Sequence, residues 1–343
     1  MLSLARNYLV DLVNQVGSGW NRFWFTPSAP QTLSMLRVLT GALALYYVAS
    51  FGADLVAFFG PGGLIPVDTV LMWTNDFVTR FSYFDSIQTA GGLRAAHYTG
   101  LVVVGLFTIG FFTRVTSILS LIVLLSYMHR APMLVTEVEP VLAMLMLYLC
   151  IGPSGACFSV DAWLRRRKAL QIDPAAEPPA PAKSTLATIA TRLVQIHLAA
   201  IFVASGLAML STQTWWAGDA VWWIIARPRS GGFWLTSSLS RMPLVFQFLT
   251  HVIVAYHLLF PLLVWNRLAR PLVLAAGLLI WPLVAVISGL YLYAAMMLAG
   301  TCIYISPAVV ALLEKRRETT PEPQKVDAIH KPTAPAQRAT VRV

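Results

Sequence analysis

Four ionisable side chains lie close together in this 343-residue chain: His129, Arg130, Glu137 and Glu139. A histidine and two carboxylates are the residue types that general acid–base catalysis uses to move a proton. Two prolines in the same stretch predict an irregular or re-entrant connection, which a membrane tolerates only where protein or water satisfies the backbone. The spacing is compatible with proton transfer and equally with a salt-bridge cluster in an external loop.

Three further histidines, His197, His251 and His257, lie in apolar segments. Histidines on neighbouring helices can ligate a b-type haem. Because His251 and His257 are six residues apart, they point to different faces of one helix, and only one of them can pair with His197. The alternative role is structural hydrogen bonding between helices.

Arg37 lies about one and a half turns into the first apolar segment, where a bare charge costs several kcal/mol. It either faces a polar cavity or pairs within a helix bundle and reaches the interface. A second feature is the tryptophan-rich stretch that follows residue 210. Its indoles form either an interfacial belt or the walls of a site for a planar ring ligand: Trp215, Trp216, Trp222, Trp223 and Trp234.

The composition is that of a membrane protein, with 57% hydrophobic and only 12% charged residues. A soluble chain carries roughly a quarter charged residues. Between Asp219 and Glu314 there is no Asp or Glu. The net charge of +10 therefore indicates positive-inside loops rather than a nucleic-acid surface. The three cysteines form no C-x-x-C pair, so neither a disulfide framework nor a metal site is predicted.

Apolar stretches of about 20 residues, the length of a hydrocarbon crossing, predict an all-α polytopic membrane protein. We expect a bundle of about eight transmembrane helices, preceded by an amphipathic interfacial helix at 1–25. The two four-helix halves cover 26–168 and 185–313, a Pro-rich cytoplasmic linker covers 169–184, and a disordered basic cytoplasmic tail covers 314–343. The predicted spans are 32–58, 94–112, 115–131, 133–151, 186–210, 243–265, 269–288 and 290–312.

The orientation follows from the basic run Arg165-Arg166-Arg167-Lys168, which predicts a cytoplasmic loop. Counting outward places both termini in the cytoplasm and the loops 59–93 and 211–242 outside. The protein is expected in a bacterial-type inner membrane, with the lipid bilayer and other membrane subunits as partners and no nucleic acid.

Five segments, taken in order, resemble the vitamin K-dependent γ-carboxylase-like transmembrane domain, also called the HTTM domain. They are Phe23-Trp24-Phe25-Thr26-Pro27 leading to Leu36-Arg37; Phe59-Gly60-Pro61-Gly62-Gly63; Gly110-Phe111-Phe112-Thr113-Arg114; Phe158-Ser159-Val160-Asp161-Ala162; and Leu193-Val194-Gln195-Ile196-His197 through Ser205-Gly206-Leu207.

The resemblance implies a reaction in which a membrane lysine deprotonates a reduced quinone. In the family that lysine follows the Ser/Ala-Gly-Leu/Val element, where this chain has Ala208 and Met209, and a thioether cannot take a proton. The family's Asn-His pair falls near Glu137, and its later histidine falls near Trp281. The tail after the eighth span is also too short for the domain that holds carboxylase substrates.

We therefore expect a non-carboxylating subunit of a membrane complex that binds a lipid or a quinone, or that acts as a scaffold. The expected ligand cavity is lined by Arg37, His197, Met209, Trp215, Trp216 and Trp281. The alternative is a quinone-dependent oxidoreductase, or a divergent carboxylase, with its base among His129, Glu137, Glu139 and His197. A haem or transport protein is the third possibility.

Overall fold

The computed structural model describes residues 2–74, 80–173, 180–227 and 242–318, with side chains from Arg6 to Leu312. Trp234, the centre of the predicted linker at 174–179 and the tail from 319 onward lie outside the described residues. In the described part all regular elements are helical, and the only paired extended backbone is an isolated antiparallel bridge between Ser28 and Ser184. The all-α prediction is confirmed for this part of the chain.

The α-helices are numbered here in chain order. They are α1 Leu2–Phe25, α2 Gln31–Ser50, α3 Leu55–Phe59, α4 Val67–Trp73, α5 Ala90–Ile109, α6 Thr113–Arg130, α7 Val138–Ile151, α8 Val160–Ile172, α9 Thr185–Leu210, α10 Gln213–Trp216, α11 Ala220–Ile225, α12 Pro243–Leu263, α13 Ala269–Ser288, α14 Tyr291–Thr301 and α15 Pro307–Glu318. Short 3₁₀ turns cover Tyr83–Ser86, Pro132–Leu134 and Cys302–Tyr304.

Five of the described helices, α2, α5, α9, α12 and α13, are long and apolar enough to cross a membrane. About eight crossings were predicted, and five of the described helices have the length and hydropathy of a crossing. The other three predicted spans are helical but fall short: α6 is less apolar, and α7 and the segment Tyr291–Tyr304 are shorter apolar helices.

Two predicted spans differ from the observed helices at their C-terminal ends. The first ends at Ser50 instead of continuing to 58, and a separate short helix, α3, follows. The eighth is interrupted at Ile305, whose backbone is extended, before α15 begins at Pro307. The steric rule that disfavours helical conformation before a proline applies to Ser306, the residue between Ile305 and Pro307, so it favours a break at this point.

The bundle is organised around α2, which packs against α5, α7 and α14, while α9 packs against α7 and α12. We call the end where Ser28 and Ser184 pair the linker end, and the end where α2 reaches Ser50 the loop end. Helix α1 contacts the bundle mainly through α9 and exposes apolar side chains such as Tyr8, Val13 and Trp20. Its exposed apolar face is that expected of an interfacial helix.

Candidate functional site

Arg37 is fully buried near the linker end and is bound by backbone carbonyls. Its two Nη atoms donate to the carbonyls of Ser154, at 3.2 Å, and of Phe158. Gly110 is required beside it: its φ is +74°, and a Cβ there would overlap Arg37 Nη1. Arg37 thus joins α2 to the α5–α6 and α7–α8 connections, which favours the structural alternative for this residue.

Asp161, on α8, is the acidic group of this region. Its Oδ1 accepts from Phe112 N–H at 2.9 Å, and its Oδ2 accepts from Thr113 N–H and Oγ1 at 2.8 and 2.7 Å. Burial alone would raise the pKa of Asp161, but these donors and the positive charge of Arg165 together lower it below its usual value. The carboxylate therefore stays ionised and caps the start of α6.

His129 and Arg130, at the loop end, hold the segment that precedes α5. His129 Nδ1 lies 2.9 Å from the Phe81 carbonyl, and its own carbonyl accepts from Arg80 Nε at 2.9 Å. Arg80 pairs with Asp85 at 2.8 Å, and Arg130 Nε lies 4.0 Å from the same carboxylate. The described ion pairs at this end therefore use Asp85 and neither of the predicted carboxylates, Glu137 and Glu139.

Glu137 and Glu139 differ in environment although they are two residues apart. Glu137 is exposed, whereas Glu139 is 4% exposed and its Oε2 accepts from the N–H and the hydroxyl of Thr136, both at 2.8 Å. The Thr136 hydroxyl in turn accepts from Val138 N–H at 3.3 Å. The bond from Thr136 N–H to the Glu139 carboxylate is the carboxylate half of a capping box beside the start of α7, so the fold itself uses the buried carboxylate.

A buried pair that the sequence analysis missed lies between α5 and α6. His97 Nδ1 is 2.6 Å from the Tyr127 hydroxyl, and the two residues are 3% and 1% exposed. Tyr47 and Tyr127 both lie against the Phe51 ring, with ring centroids 5.2 and 5.0 Å from it. An imidazole, which can carry a proton, thus contacts a tyrosine hydroxyl in the core at the loop end.

The histidines considered for haem have separate partners. His197 is exposed on α9 and bonds the Tyr148 hydroxyl at 2.9 Å. His257 is buried against the rings of Phe202 and Trp281, and its Nδ1 lies 2.8 Å from the Ile253 carbonyl. Within the described residues no group of three His, Cys, Asp or Glu side chains is placed to hold a metal ion.

The expected ligand cavity is not assembled from its predicted residues. Arg37 lies near the linker end, whereas Met209 lies at the far end of α9, about 36 Å from its first residue at 1.5 Å per residue. Met209 and Trp215 pack on a small apolar cluster around Phe246, and Trp281 is buried among other rings. His197 and Trp216 are both exposed, and Trp216 donates its indole N–H to the Leu210 carbonyl.

A cavity that we call the basic cleft opens at the linker end and has a volume of about 460 Å³. Three arginines line it, Arg114, Arg165 and Arg166, and the one carboxylate among its described lining residues is Asp161, already bonded to Thr113. Its other lining comes from α6, α7, the connection to α8 and the end of the linker, and includes Ser117, Cys150, Gly152, Pro153, Ser154, Ala180, Pro181, Ala182 and Ser184.

A second cavity at the same end, the arginine pocket, has a volume of about 220 Å³. Arg192 of α9 and Arg270 of α13 line it together with Thr32, Gln195 and Trp265, and no carboxylate is among its described lining residues. Neither this pocket nor the basic cleft is lined by Arg37, His197, Met209 or Trp281.

The sequence held a signal for the arginine pocket. Arg192 interrupts an apolar segment as Arg37 does, and an arginine within a membrane span is a site hypothesis by default. No local signal shows that Arg270, 78 residues later, lies beside it.

Comparison of the chain with family models, with curated proteins and with solved structures found no match. The resemblance to the γ-carboxylase-like domain therefore stays a proposal.

Proposed function

We propose that this chain is an integral membrane protein on a γ-carboxylase-like scaffold that does not carboxylate, and that it binds an anionic lipid as a subunit of a membrane complex. The observation that carries the proposal is the basic cleft. Its volume lies within the range of small-molecule sites. It is lined by Arg114 and by Arg165, whose guanidinium donates to the Gly155 and Ala156 carbonyls, and Asp161 is the one carboxylate among its described lining residues.

The charge of the cleft favours a lipid over a quinone. A quinone head is neutral and gains little from guanidinium groups, whereas an acidic headgroup forms charge-assisted hydrogen bonds with them. Ser117, Cys150 and Gly152 supply smaller and less polar lining from α6 and α7. An acidic head between the arginines and an acyl chain along the helices fit this arrangement.

The membrane topology is proposed with the linker end in the cytoplasm of a bacterial-type cell. Arginines and lysines concentrate at this end, in the α5–α6, α8 and α12–α13 regions, while Asp54, Asp68, Asp85, Glu137 and Asp219 lie at the loop end. Positive residues favour the cytoplasmic side. With α6, α7 and α14 counted as crossings, the proposed bundle has eight spans and both chain termini in the cytoplasm.

Lipid binding at the cleft is tested by native mass spectrometry of the purified protein with phosphatidylglycerol. Arg114→Gln removes one charge from the cleft, and the control Lys168→Gln removes one from the neighbouring exposed surface. We expect the lipid to be lost from the first variant and kept by the second. Equal lipid retention in both would contradict the cleft as the site.

The second candidate is a quinone-dependent oxidoreductase, favoured by one observation: the loop-end core holds the His97 imidazole 2.6 Å from the Tyr127 hydroxyl. Hydrogen-bonded acids and bases of this kind can pass protons. Quinol oxidation by the purified protein that is lost in Tyr127→Phe, with the fold kept, would favour this function over lipid binding.

A further inference from the structure

The arginine pocket brings two guanidinium groups together from distant parts of the chain. Arg192 lies on α9, Arg270 lies at the start of α13, and both side chains line this one pocket. Two like charges in a half-buried pocket repel each other, and no described lining residue supplies a carboxylate to offset them. The arrangement is unfavourable without an anion and favourable with one.

Both guanidinium groups are held in place while part of each stays available. Arg192 Nη1 donates to Gln195 Oε1 at 2.9 Å, and its guanidinium lies over the Phe23 ring, 4.3 Å from the centroid. Arg270 Nε donates to the Val264 carbonyl at 2.9 Å. Within the described residues, Arg192 Nη2 and both Nη atoms of Arg270 have no hydrogen-bond partner, so they can donate to a ligand.

The wall of the pocket is built from buried polar side chains. Thr32 is 2% exposed and donates to the Ile305 carbonyl, and Gln195 is 8% exposed and donates to the Ile303 carbonyl. Thr188 is also buried and bonds Thr26 and Ser28. These bonds fix the connections that surround the two arginines, so the pocket is preformed.

Aromatic rings lie beside the pocket. Trp265 lines it, and the ring centroids of Trp265 and Phe23 are 6.2 Å apart. Phe23 belongs to the aromatic end of α1, where Trp20 is exposed. Tryptophan and other amphipathic rings concentrate at headgroup depth in membranes.

We propose that the arginine pocket binds a phosphate group, held by the free guanidinium N–H groups of Arg192 and Arg270. A tetrahedral phosphate presents several acceptor oxygens and so accepts two guanidinium forks at once, which a single carboxylate does less well. The phosphate belongs either to a phospholipid headgroup or to a soluble molecule. The site is separate from the basic cleft and does not depend on the function proposed for it.

The test uses the full-length protein in nanodiscs and native mass spectrometry. In the lipid arm the nanodiscs contain phosphatidylcholine with or without phosphatidic acid, and in the soluble arm inorganic phosphate is added to phosphatidylcholine nanodiscs. The variants are Arg192→Gln, Arg270→Gln and both together. The control is Arg267→Gln, which removes an exposed arginine from the same connection.

Because the basic cleft is itself proposed to hold an anionic lipid, the readout is the number of ligands bound per protein. We expect the double variant to bind one phosphate-bearing ligand fewer than the control, with affinity at the arginine pocket at least about tenfold weaker, because each charged hydrogen bond contributes on that scale. Retention of phosphatidic acid assigns the site to a lipid headgroup, and binding of inorganic phosphate alone assigns it to a soluble phosphate. Equal binding of both ligands by the double variant and the control overturns the proposal.

Two further variants keep the test decisive. If the double variant fails to fold, Arg270→Lys keeps the positive charge but loses the fork, and binding should still weaken measurably. Arg114→Gln, in the basic cleft, should leave the arginine pocket unaffected. Loss of binding in Arg114→Gln with retention in the pocket variants would place the ligand in the cleft and overturn the pocket, so the two proposals fail separately.

Discussion

The Asp161 carboxylate caps a helix that begins 48 residues earlier in the chain, at Thr113. One oxygen, Oδ2, accepts from both the backbone N–H and the hydroxyl of Thr113, at 2.8 and 2.7 Å. The residue before Thr113 is Phe112, whose φ of +47° is rare for a side chain of this size and which provides no side-chain cap. A distant carboxylate therefore satisfies the first donors of α6.

Asp161→Ala should destabilise the protein by about 0.5–2 kcal/mol, the range for loss of a helix cap. Unfolding of the purified protein in detergent measures the change. The control is Asp68→Ala, since Asp68 is exposed and its loss should change the free energy of unfolding by no more than about 0.5 kcal/mol. Equal effects of the two substitutions would contradict the capping role.

The contribution of Asp161 should also depend on pH. Its pKa is lower in the folded protein than the usual value of 3.8, so the folded state binds fewer protons and acid favours unfolding. The stability difference between the wild type and Asp161→Ala should be complete above that usual value. It should shrink as the pH falls through the lower folded value. Acid titration of both proteins measures it, and a difference that grows in acid would show that folding raises the pKa of Asp161 instead.

Gly110→Ala should destabilise the linker end. The left-handed backbone costs a non-glycine residue about 1–2 kcal/mol, and the new Cβ would also displace Arg37. Gly105→Ala is the matched control in the same helix, because no described atom lies within 4 Å of a Cβ at that position. The control should be neutral or stabilising by up to about 1 kcal/mol. Thermal unfolding measures the stability of both variants. A Gly110→Ala protein as stable as the wild type would show that Arg37 has another stable position.

Tyr127→Phe should cost about 1–3 kcal/mol, because it leaves the buried His97 imidazole without its hydroxyl partner. Tyr98→Phe, at an exposed position next to His97, removes a hydroxyl without that consequence. Denaturation of the two variants in parallel separates the buried pair from a general effect of losing a tyrosine hydroxyl. A Tyr127→Phe protein as stable as Tyr98→Phe would show that the pair contributes little.

The proposed orientation predicts opposite labelling of the two ends. Lys168→Cys, on α8, should react with a membrane-impermeant maleimide only after the cells are permeabilised, whereas Asp68→Cys, on α4, should react in intact cells. The unsubstituted chain reports the background from its three native cysteines. Labelling of Lys168→Cys in intact cells would contradict the proposed topology and place the linker end outside the cell.

The helices were largely predictable from the sequence, and their ends less so. The segments predicted at 186–210 and 269–288 coincide within one residue with α9 and α13, because length and hydropathy define them locally. The first span was predicted eight residues too long, since apolar residues continue past Ser50 into α3. Hydropathy does not distinguish one continuous helix from two.

The predicted site residues were harder to place than the helices, because a site depends on distances between side chains that are far apart in the sequence. Glu139 carries a recognisable capping signature with Thr136, three residues earlier, so its structural use was readable from the sequence. The cavity expected between Arg37 and Met209 was not readable in the same way. Those residues lie at opposite ends of the bundle, which follows only from how α2 and α9 are paired.

The sequence by itself determined that the chain is helical and suited to a membrane, and that its positive charge gathers at one end. Each of these is a sum over neighbouring residues, which no distant contact alters. Only the tertiary structure decided that the Asp161 carboxylate accepts from Thr113 and that Arg192 and Arg270 line one pocket. These placements depend on the rotation and register of packed helices, which are set by the whole bundle at once.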